Sequence, residues 1–496
     1  MTFDKVDSYT EKFVDFSCAT QYEDLPASAV AATKVLLRDT LGCAVGGREA
    51  ESSRIVAGVL EGFGGAPQAT SLVSGVKLPV TVAAHINAHS GNALDADDTL
   101  AYKGHIASVA VAAALAMAER EGSSGRDLLA AITVAYDVAG RIGMSLKALA
   151  IDDDGKFRFG PVSGYSWISF AATVATGRLL GLDPVRMHHA FGITAAIMPL
   201  PSSTKFGSSL PRPMTKYAMY GTLVESGMLA ALYAREGFTA QPSILDGDTG
   251  VWRVLGALRC DWTALTAKLG EDWLVEQVSY KIYPTCRFLS GAIDNFYRLM
   301  SEHRIDVKKI DRVKVGLAEA SFAKHQVHRP EVAGVVDGAF SLPYALGAAA
   351  FAGEPGPAWH SAKTRQNEAV QAFGAKVEVE IEPTAAGIAA EDLRTLGYNA
   401  RMPCSVEITA AGRTYAMRSE YARGDQSPGV PLTEAEHERK FRIYCARQLP
   451  GAQIEDALGI IHRLEREPSP TALAASLTSP RPNAAADAAP EIGFTA

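Results

Sequence analysis

Three carboxylates, Asp95, Asp97 and Asp98, crowd into the run Asn87-Ala-His-Ser-Gly-Asn-Ala-Leu-Asp-Ala-Asp-Asp-Thr99, and His105 follows across Tyr102-Lys103-Gly104. Taken alone, the run admits three readings. The plainest is a loop after a helix, its acids solvated and one of them capping the next helix, since Asp is a common loop and turn residue. A second is metal binding, but the spacing misses the EF-hand ladder of ligands at positions 1, 3, 5 and 12 with Gly at 6. The third is an acid/base cluster. An imidazole that titrates near neutrality would move a proton, a carboxylate would orient it, and the Thr99 hydroxyl would align a substrate.

Two basic segments could complete such a cluster. In Pro213-Met-Thr-Lys216-Tyr-Ala-Met-Tyr-Gly221, a lysine precedes a helix rich in small residues, where a carboxylate is favoured by the helix N-terminus. The competing reading is a solvated lysine. Tyr280-Lys281-Ile-Tyr283-Pro-Thr-Cys286-Arg287 packs aromatics, a proline and two cations into a short stretch. It is either a linker with packed aromatics or a cationic binding site for a polycarboxylate between two domains.

Other chemistries lack their motifs. There is no GxGxxG after a strand, no GxxxxGK[ST], no GxSxG and no HExxH. His188 and His189 are adjacent on a helical segment and point about 100° apart, which makes them poor joint ligands. The six cysteines, at 18, 43, 260, 286, 404 and 445, form no CxxC pair, so a zinc ribbon, a thioredoxin motif and a clustered iron–sulfur set are excluded. Lys+Arg 48 against Asp+Glu 55 gives a net charge of −7 over 496 residues, which supplies no global field for nucleic acid or an anionic membrane. With 47% hydrophobic and 21% charged residues the composition is that of a folded chain. The N-terminal MTFDKVDSYTEKFVDF has no secretory apolar core, and no run reaches about 18 uninterrupted apolar residues. A cytoplasmic protein that binds neither nucleic acid nor membrane is the expectation.

The elements that must position these residues change character along the chain. Up to about residue 260 the pattern is helical, with segments at 106–121, 126–142, 166–180 and 222–235 and one that opens at Leu25-Pro26 and closes at Gly46-Gly47. Their many Ala and Gly residues predict close helix–helix approach. Past about 265, Val313, Val315 and Leu317, then Val377, Val379 and Ile381, alternate with polar residues, and 406–408 leads through Gly412 to 414–417. Period-two alternation predicts half-exposed antiparallel strands. Ser341 caps an apolar helix over 341–351, and Thr433 with Glu436 has capping-box spacing where helix returns. The expected fold is mainly α: a helical domain from 1–268 and 426–466, an α+β domain over 269–425, and a disordered, proline-rich tail over 467–496.

Taken in order, LRDTLGCAVGG at 37–47, NALDADDT at 92–99, GHIASVAVAAALA at 104–116, REGFTAQPSILDGDTGVW at 235–252, YKIYPTCRFLSGAID at 280–294 and AFSLPYALGAAAFAG at 339–353 resemble the MmgE/PrpD family. This family includes 2-methylcitrate dehydratase, cis-aconitate decarboxylase and iminodisuccinate epimerase. The resemblance covers about 8–465. It implies a large helical domain built from both chain ends, a smaller α+β lid, a site between them and a homodimer; the chemistry it implies needs no cofactor, and the scattered cysteines and the acid spacing give the expectation of no metal. It carries the family's acidic-motif positions onto Asp95, Thr99 and His105, its two substrate-facing lysines onto Lys216 and Lys281, and the matching YP-x-C-R stretch onto Tyr283 and Arg287. Asp95, His105, Lys216 and Lys281 are thus the expected catalytic residues, with Thr99, Tyr283 and Arg287 binding substrate.

Four family histidines are replaced here, by Asn92, Gly160, Met219 and Ser290. The function the resemblance implies is a lyase that dehydrates a hydroxylated di- or tricarboxylate such as 2-methylcitrate, by proton transfer at carbon α to a carboxylate. His105 would be the acid/base, oriented by Asp95, and the lysines would hold the carboxylates where charge develops. Decarboxylation or epimerisation on the same fold is the alternative, and a non-catalytic carboxylate-binding relic the third.

Overall fold

The computed structural model describes residues 8–147, 149–151, 157–159, 165–200, 209–318, 329–426 and 428–478. Helices dominate. Ala27–Gly46, Val80–Asn92, Ala107–Glu121, Gly125–Ser145, Ser169–Leu179 and Thr215–Arg235 pack into one body. Their caps follow the sequence: Pro26 precedes the first, Gly122 ends the third at φ 66°, and Ser124 with Asp127 forms a capping box on the fourth. The expected close approach is real. A Cβ on Gly227 would come to 2.2 Å from the Ser169 carbonyl, so the 215–235 helix can cross the 169–179 helix only with glycine there. The Gly125–Ser145 helix is long and apolar enough to span a bilayer, but it is a core helix, buried from Leu128 to Ile142.

The core of this body is closed by the far end of the chain. Phe441, Leu458 and Ile461, from Glu434–Cys445 and Gly451–His462, pack with Leu36, Leu129 and Val109. A second cluster gathers Leu289, Phe296, Val313, Phe340, Trp359 and Ile408. It lies against a four-stranded sheet in the order Arg413–Ser419, Cys404–Ala410, Ile310–Leu317, Val377–Ile381. The first two strands of that order form a hairpin whose two-residue turn, Ala411-Gly412, has positive φ at both positions, 49° and 73°.

Not every strand is antiparallel as expected. Ile310–Leu317 pairs antiparallel with Cys404–Ala410 but parallel with Val377–Ile381. The chain between the parallel pair passes through Val335–Phe340, Leu342–Phe351 and Glu368–Gly374, and a crossover of that kind returns the strand in the same direction. Alternation reports half-burial, not strand direction.

Cluster membership changes between Tyr280, in the helical core, and Tyr283, in the second. This is later than the texture break near 268. The returning chain crosses beside the outgoing one: Tyr280 N donates to Gly424 O at 2.9 Å. Gly424 has φ 89°, and a Cβ there would lie 2.0 Å from the Tyr280 carbonyl. The disordered tail expected from 467 does not begin there. Thr471–Ser476 is helical, Leu473 and Leu477 are fully buried, and Arg48 donates to the Leu477 carbonyl. Two leucines on one turn give the Ala/Ser-rich segment enough apolar surface to dock; residues 479–496 lie outside those described.

Candidate active site

Asp95 lies just beyond the C-terminus of the 80–92 helix and is held at φ 52°, a left-handed conformation that aspartate adopts more readily than most residues. That turn presents its carboxylate to two ammonium groups. Lys281 Nζ donates to Asp95 Oδ1 at 2.5 Å and to its backbone carbonyl at 2.6 Å. Lys216 Nζ donates to Oδ2 at 3.0 Å, and the Tyr217 hydroxyl reaches the same oxygen at 3.3 Å. Lys216 sits in the first turn of the 215–235 helix, which starts earlier than the sequence suggests. All three charged side chains are buried. Burial works to raise the Asp95 pKa, but the charges of Lys216 and Lys281 outweigh it and hold the carboxyl far below its usual range.

His105 faces the same carboxylate. Its Nδ1 lies 2.5 Å from the Asp98 carbonyl oxygen, so Nδ1 carries the hydrogen in the neutral ring. Nε2 points toward Asp95 Oδ1 at 3.6 Å, beyond a hydrogen bond. Orientation of the imidazole therefore comes from the Asp98 backbone, with Asp97 Oδ1 3.4 Å from Nδ1, and not from Asp95. Burial, with Lys281 and Lys216 adding to it, lowers the His105 pKa to about 4.

The other two acids of the run are structural. Asp98 accepts from the Ala107 and Ile106 amides at 3.1 and 3.3 Å at the start of the 107–121 helix, and from the Tyr136 hydroxyl at 2.8 Å. Burial and the neighbouring Asp97 raise its pKa to about 8. Asp97 accepts from Ser108 Oγ at 2.6 Å and from Asn92 Nδ2, 2.9 Å from each carboxylate oxygen. Asn92, at a family histidine position, thus fixes an aspartate. Of the other replaced positions, Met219 is buried in the helical core, Ser290 is buried, and Gly160 lies outside the described residues.

Thr99 exchanges both backbone hydrogen bonds with Ser279 at 2.9 Å, which ties the acidic loop to the strand-like segment that delivers Lys281. Its hydroxyl is buried without a partner among the described residues. Tyr283 and Arg287 are not brought to Asp95. The Tyr283 hydroxyl donates to Asp294 Oδ1 at 2.6 Å, and its ring stacks with Tyr297 and Trp359. Arg287 is paired with Asp425 and donates to the Tyr280 carbonyl at 3.1 Å, while Tyr102 donates to the other Asp425 oxygen at 3.1 Å. Both brace the crossing segments rather than the cluster, because the Tyr283 hydroxyl and the two terminal nitrogens of Arg287 are already committed to buried partners.

Sequence reasoning missed several neighbours: Tyr217 and Tyr220, hidden in an Ala/Gly-rich helix, and the buried pair Asp39–Lys440. Lys440 Nζ donates to Asp39 Oδ1 at 2.6 Å and to the Ala96 carbonyl at 2.7 Å. No local signal links residues so far apart. Asp95, Asp97 and His105 also bring ligand-type atoms within 4.8 Å of one another. However, both Asp95 oxygens already face ammonium groups, which suits an ion-paired acid/base cluster better than a cation.

The arrangement can hold an anion beside a proton carrier. Residues 11–259 match the MmgE/PrpD N-terminal domain and residues 283–465 the MmgE/PrpD C-terminal domain. The human cis-aconitate decarboxylase is 24% identical over 501 residues, covering 97% of each chain. An Aspergillus terreus cis-aconitate decarboxylase is 27% identical over 323 residues, 60% of this chain and 62% of its own. The mouse cis-aconitate decarboxylase is 23% identical over 416 residues, 78% of this chain and 76% of its own. With both domain profiles matched in order across most of its length, the chain belongs to the MmgE/PrpD family.

Proposed function

We propose that the chain is a lyase acting on a small polycarboxylate, and that decarboxylation of a substrate like cis-aconitate is its reaction. The observation that carries this is the charge balance at Asp95: two buried ammonium groups face one carboxylate, beside an imidazole whose Nε2 makes no hydrogen bond among the described residues. An ammonium has three N–H donors. Among the described residues Lys281 spends two on Asp95 and Lys216 one, which leaves each a donor for a substrate carboxylate.

When the carbon–carboxylate bond breaks, CO₂ leaves and the electron pair stays as a carbanion delocalised toward a neighbouring carboxylate. The lysines stabilise that charge where it develops. His105 Nε2 then delivers one proton to carbon and regains one from water. Burial and the lysine charges keep His105 neutral in the unliganded site; the substrate's negative charges offset the lysines and favour its protonation in the complex. The second cluster, joined at Tyr280–Tyr283, would serve as a lid over the helical body. Decarboxylation needs one protonating acid, whereas dehydration needs a second for the departing hydroxyl, and a single imidazole faces Asp95 at ion-pair distance among the described residues. Dehydration of a 2-methylcitrate-like substrate remains the second reading, on the family resemblance.

Proton NMR in D₂O with cis-aconitate and with 2-methylcitrate distinguishes them. CO₂ release with one deuteron per product supports decarboxylation, and new alkene signals from 2-methylcitrate support dehydration. No turnover and no exchange with either, or with a wider carboxylate panel, would refute the lyase reading.

A further inference from the structure

One hydroxyl beside the cluster has no structural task. Tyr220 is fully buried, and its Oη has no hydrogen-bond partner among the described residues. It lies one turn after Lys216 on the 215–235 helix, so both side chains share the face turned to the acidic loop. Its ring stands edge-on to His105, with 6.2 Å between centroids and 66° between planes, and 6.3 Å from Tyr165, which is itself 6.5 Å from His105. Tyr217, on the same helix, spends its hydroxyl on Asp95. The Thr99 hydroxyl, from the same loop as Asp95, is also buried without a partner among the described residues.

A buried hydroxyl without a partner is destabilising, and phenylalanine would fill the same space without that cost. An orphaned donor that sits beside the general acid/base and the two lysines is what a site looks like before its ligand arrives. We propose that the Tyr220 hydroxyl donates a hydrogen bond to a carboxylate of the bound polycarboxylate, as a third binding group with Lys216 and Lys281. This rests on the carboxylate reading above. Burial and the nearby acids hold the phenol neutral, so it acts as a donor rather than a phenolate. The Tyr220–His105 contact also places that carboxylate beside the imidazole that must become protonated.

The test is Y220F, with unreactive tricarballylate (propane-1,2,3-tricarboxylate) as the probe. Melting temperature without ligand is measured first, then the dissociation constant by calorimetry for wild type, Y220F and K216M as a positive control. The expected result is a ligand-free Y220F melting at or above wild type, with tricarballylate bound at least about tenfold more weakly, as for loss of a hydrogen bond to a charged group. Affinity within twofold of wild type overturns the proposal, as does a lowered melting temperature with unchanged affinity, which would make the hydroxyl structural. Should Y220F not fold, Y220M in the same assay decides. If wild type and K216M alike fail to bind tricarballylate, the carboxylate reading falls and takes this proposal with it; if wild type binds and Y220F matches it, only the role of Tyr220 falls.

Discussion

His105 combines two settings, a hydrogen-bonded Nδ1 and a depressed pKa, with opposite consequences for stability and for catalysis. A histidine pKa that falls from 6.5 to about 4 on folding means the unfolded chain binds more protons between those values, so stability drops as pH falls through that window. In H105Q the loss of stability from pH 7 to pH 4 should be smaller than in wild type by roughly 3 kcal/mol, read from denaturant melts at both pH values. With His105 as the proton donor, kcat/KM, which reports the free enzyme, should fall as pH rises from about 4 toward 7, because the free site holds that proton only near the lowered pKa. The same variant should lose roughly 10²-fold or more in turnover. A threefold effect or less would make His105 a packing residue. At Asp95, K281M should remove one of two compensating charges and destabilise by about 3–5 kcal/mol, as when one partner of a buried ion pair is deleted, with kcat/KM falling as well. Exhaustive EDTA treatment should leave activity unchanged; loss restored by Mg²⁺ or Fe²⁺ would turn Asp95 and Asp97 into ligands.

The Glu434–Cys445 helix does more than close the core. Through Lys440 it holds Asp39 of the 27–46 helix and the Ala96 carbonyl, one residue from Asp95. The acidic loop therefore hangs between an N-terminal and a C-terminal helix. K440M should leave Asp39 buried and unpaired, at a cost of about 3–5 kcal/mol in a chemical melt. It should also lower turnover at saturating substrate, since the loop that positions Asp95 loses an anchor. A variant equal to wild type in both would mean that the loop is held by Thr99–Ser279 and Asp98 alone.

Across the molecule, two hydrophobic clusters meet where the chain crosses twice, at Tyr280–Tyr283 and at Gly424–Asp425, and the acidic loop pairs with the first crossing at Ser279. The site thus depends on both clusters and on both chain ends. Removal of everything after Arg466 should lower the melting temperature, because it deletes buried Leu473 and Leu477, each contributing about 1.5–3 kcal/mol, and the acceptor of Arg48. Truncation after Thr478 keeps those contacts and serves as the comparison in a thermal scan. Equal melting of the two would show that the 471–476 helix adds nothing.

What the sequence determined by itself is what local chemistry determines. Periodicity and caps set the helices from Pro26, Ser124, Ser341 and Thr433, and a tight Ala411-Gly412 turn set the hairpin, because these signals act within a few residues. The ordered motifs were enough to pick out Asp95, His105, Lys216 and Lys281, which the structure brings to one point. Only the tertiary structure decided their partners. It placed the lysines on Asp95 rather than in solvent, gave the orientation of His105 to a backbone carbonyl at Asp98, and drew Tyr283 and Arg287 away to Asp294 and Asp425. It also made one strand pair parallel and docked Leu473 and Leu477. Each of these outcomes is set by which distant groups share a low-dielectric space, where an unpaired charge or polar atom is costly. Residue spacing along the chain does not encode that proximity.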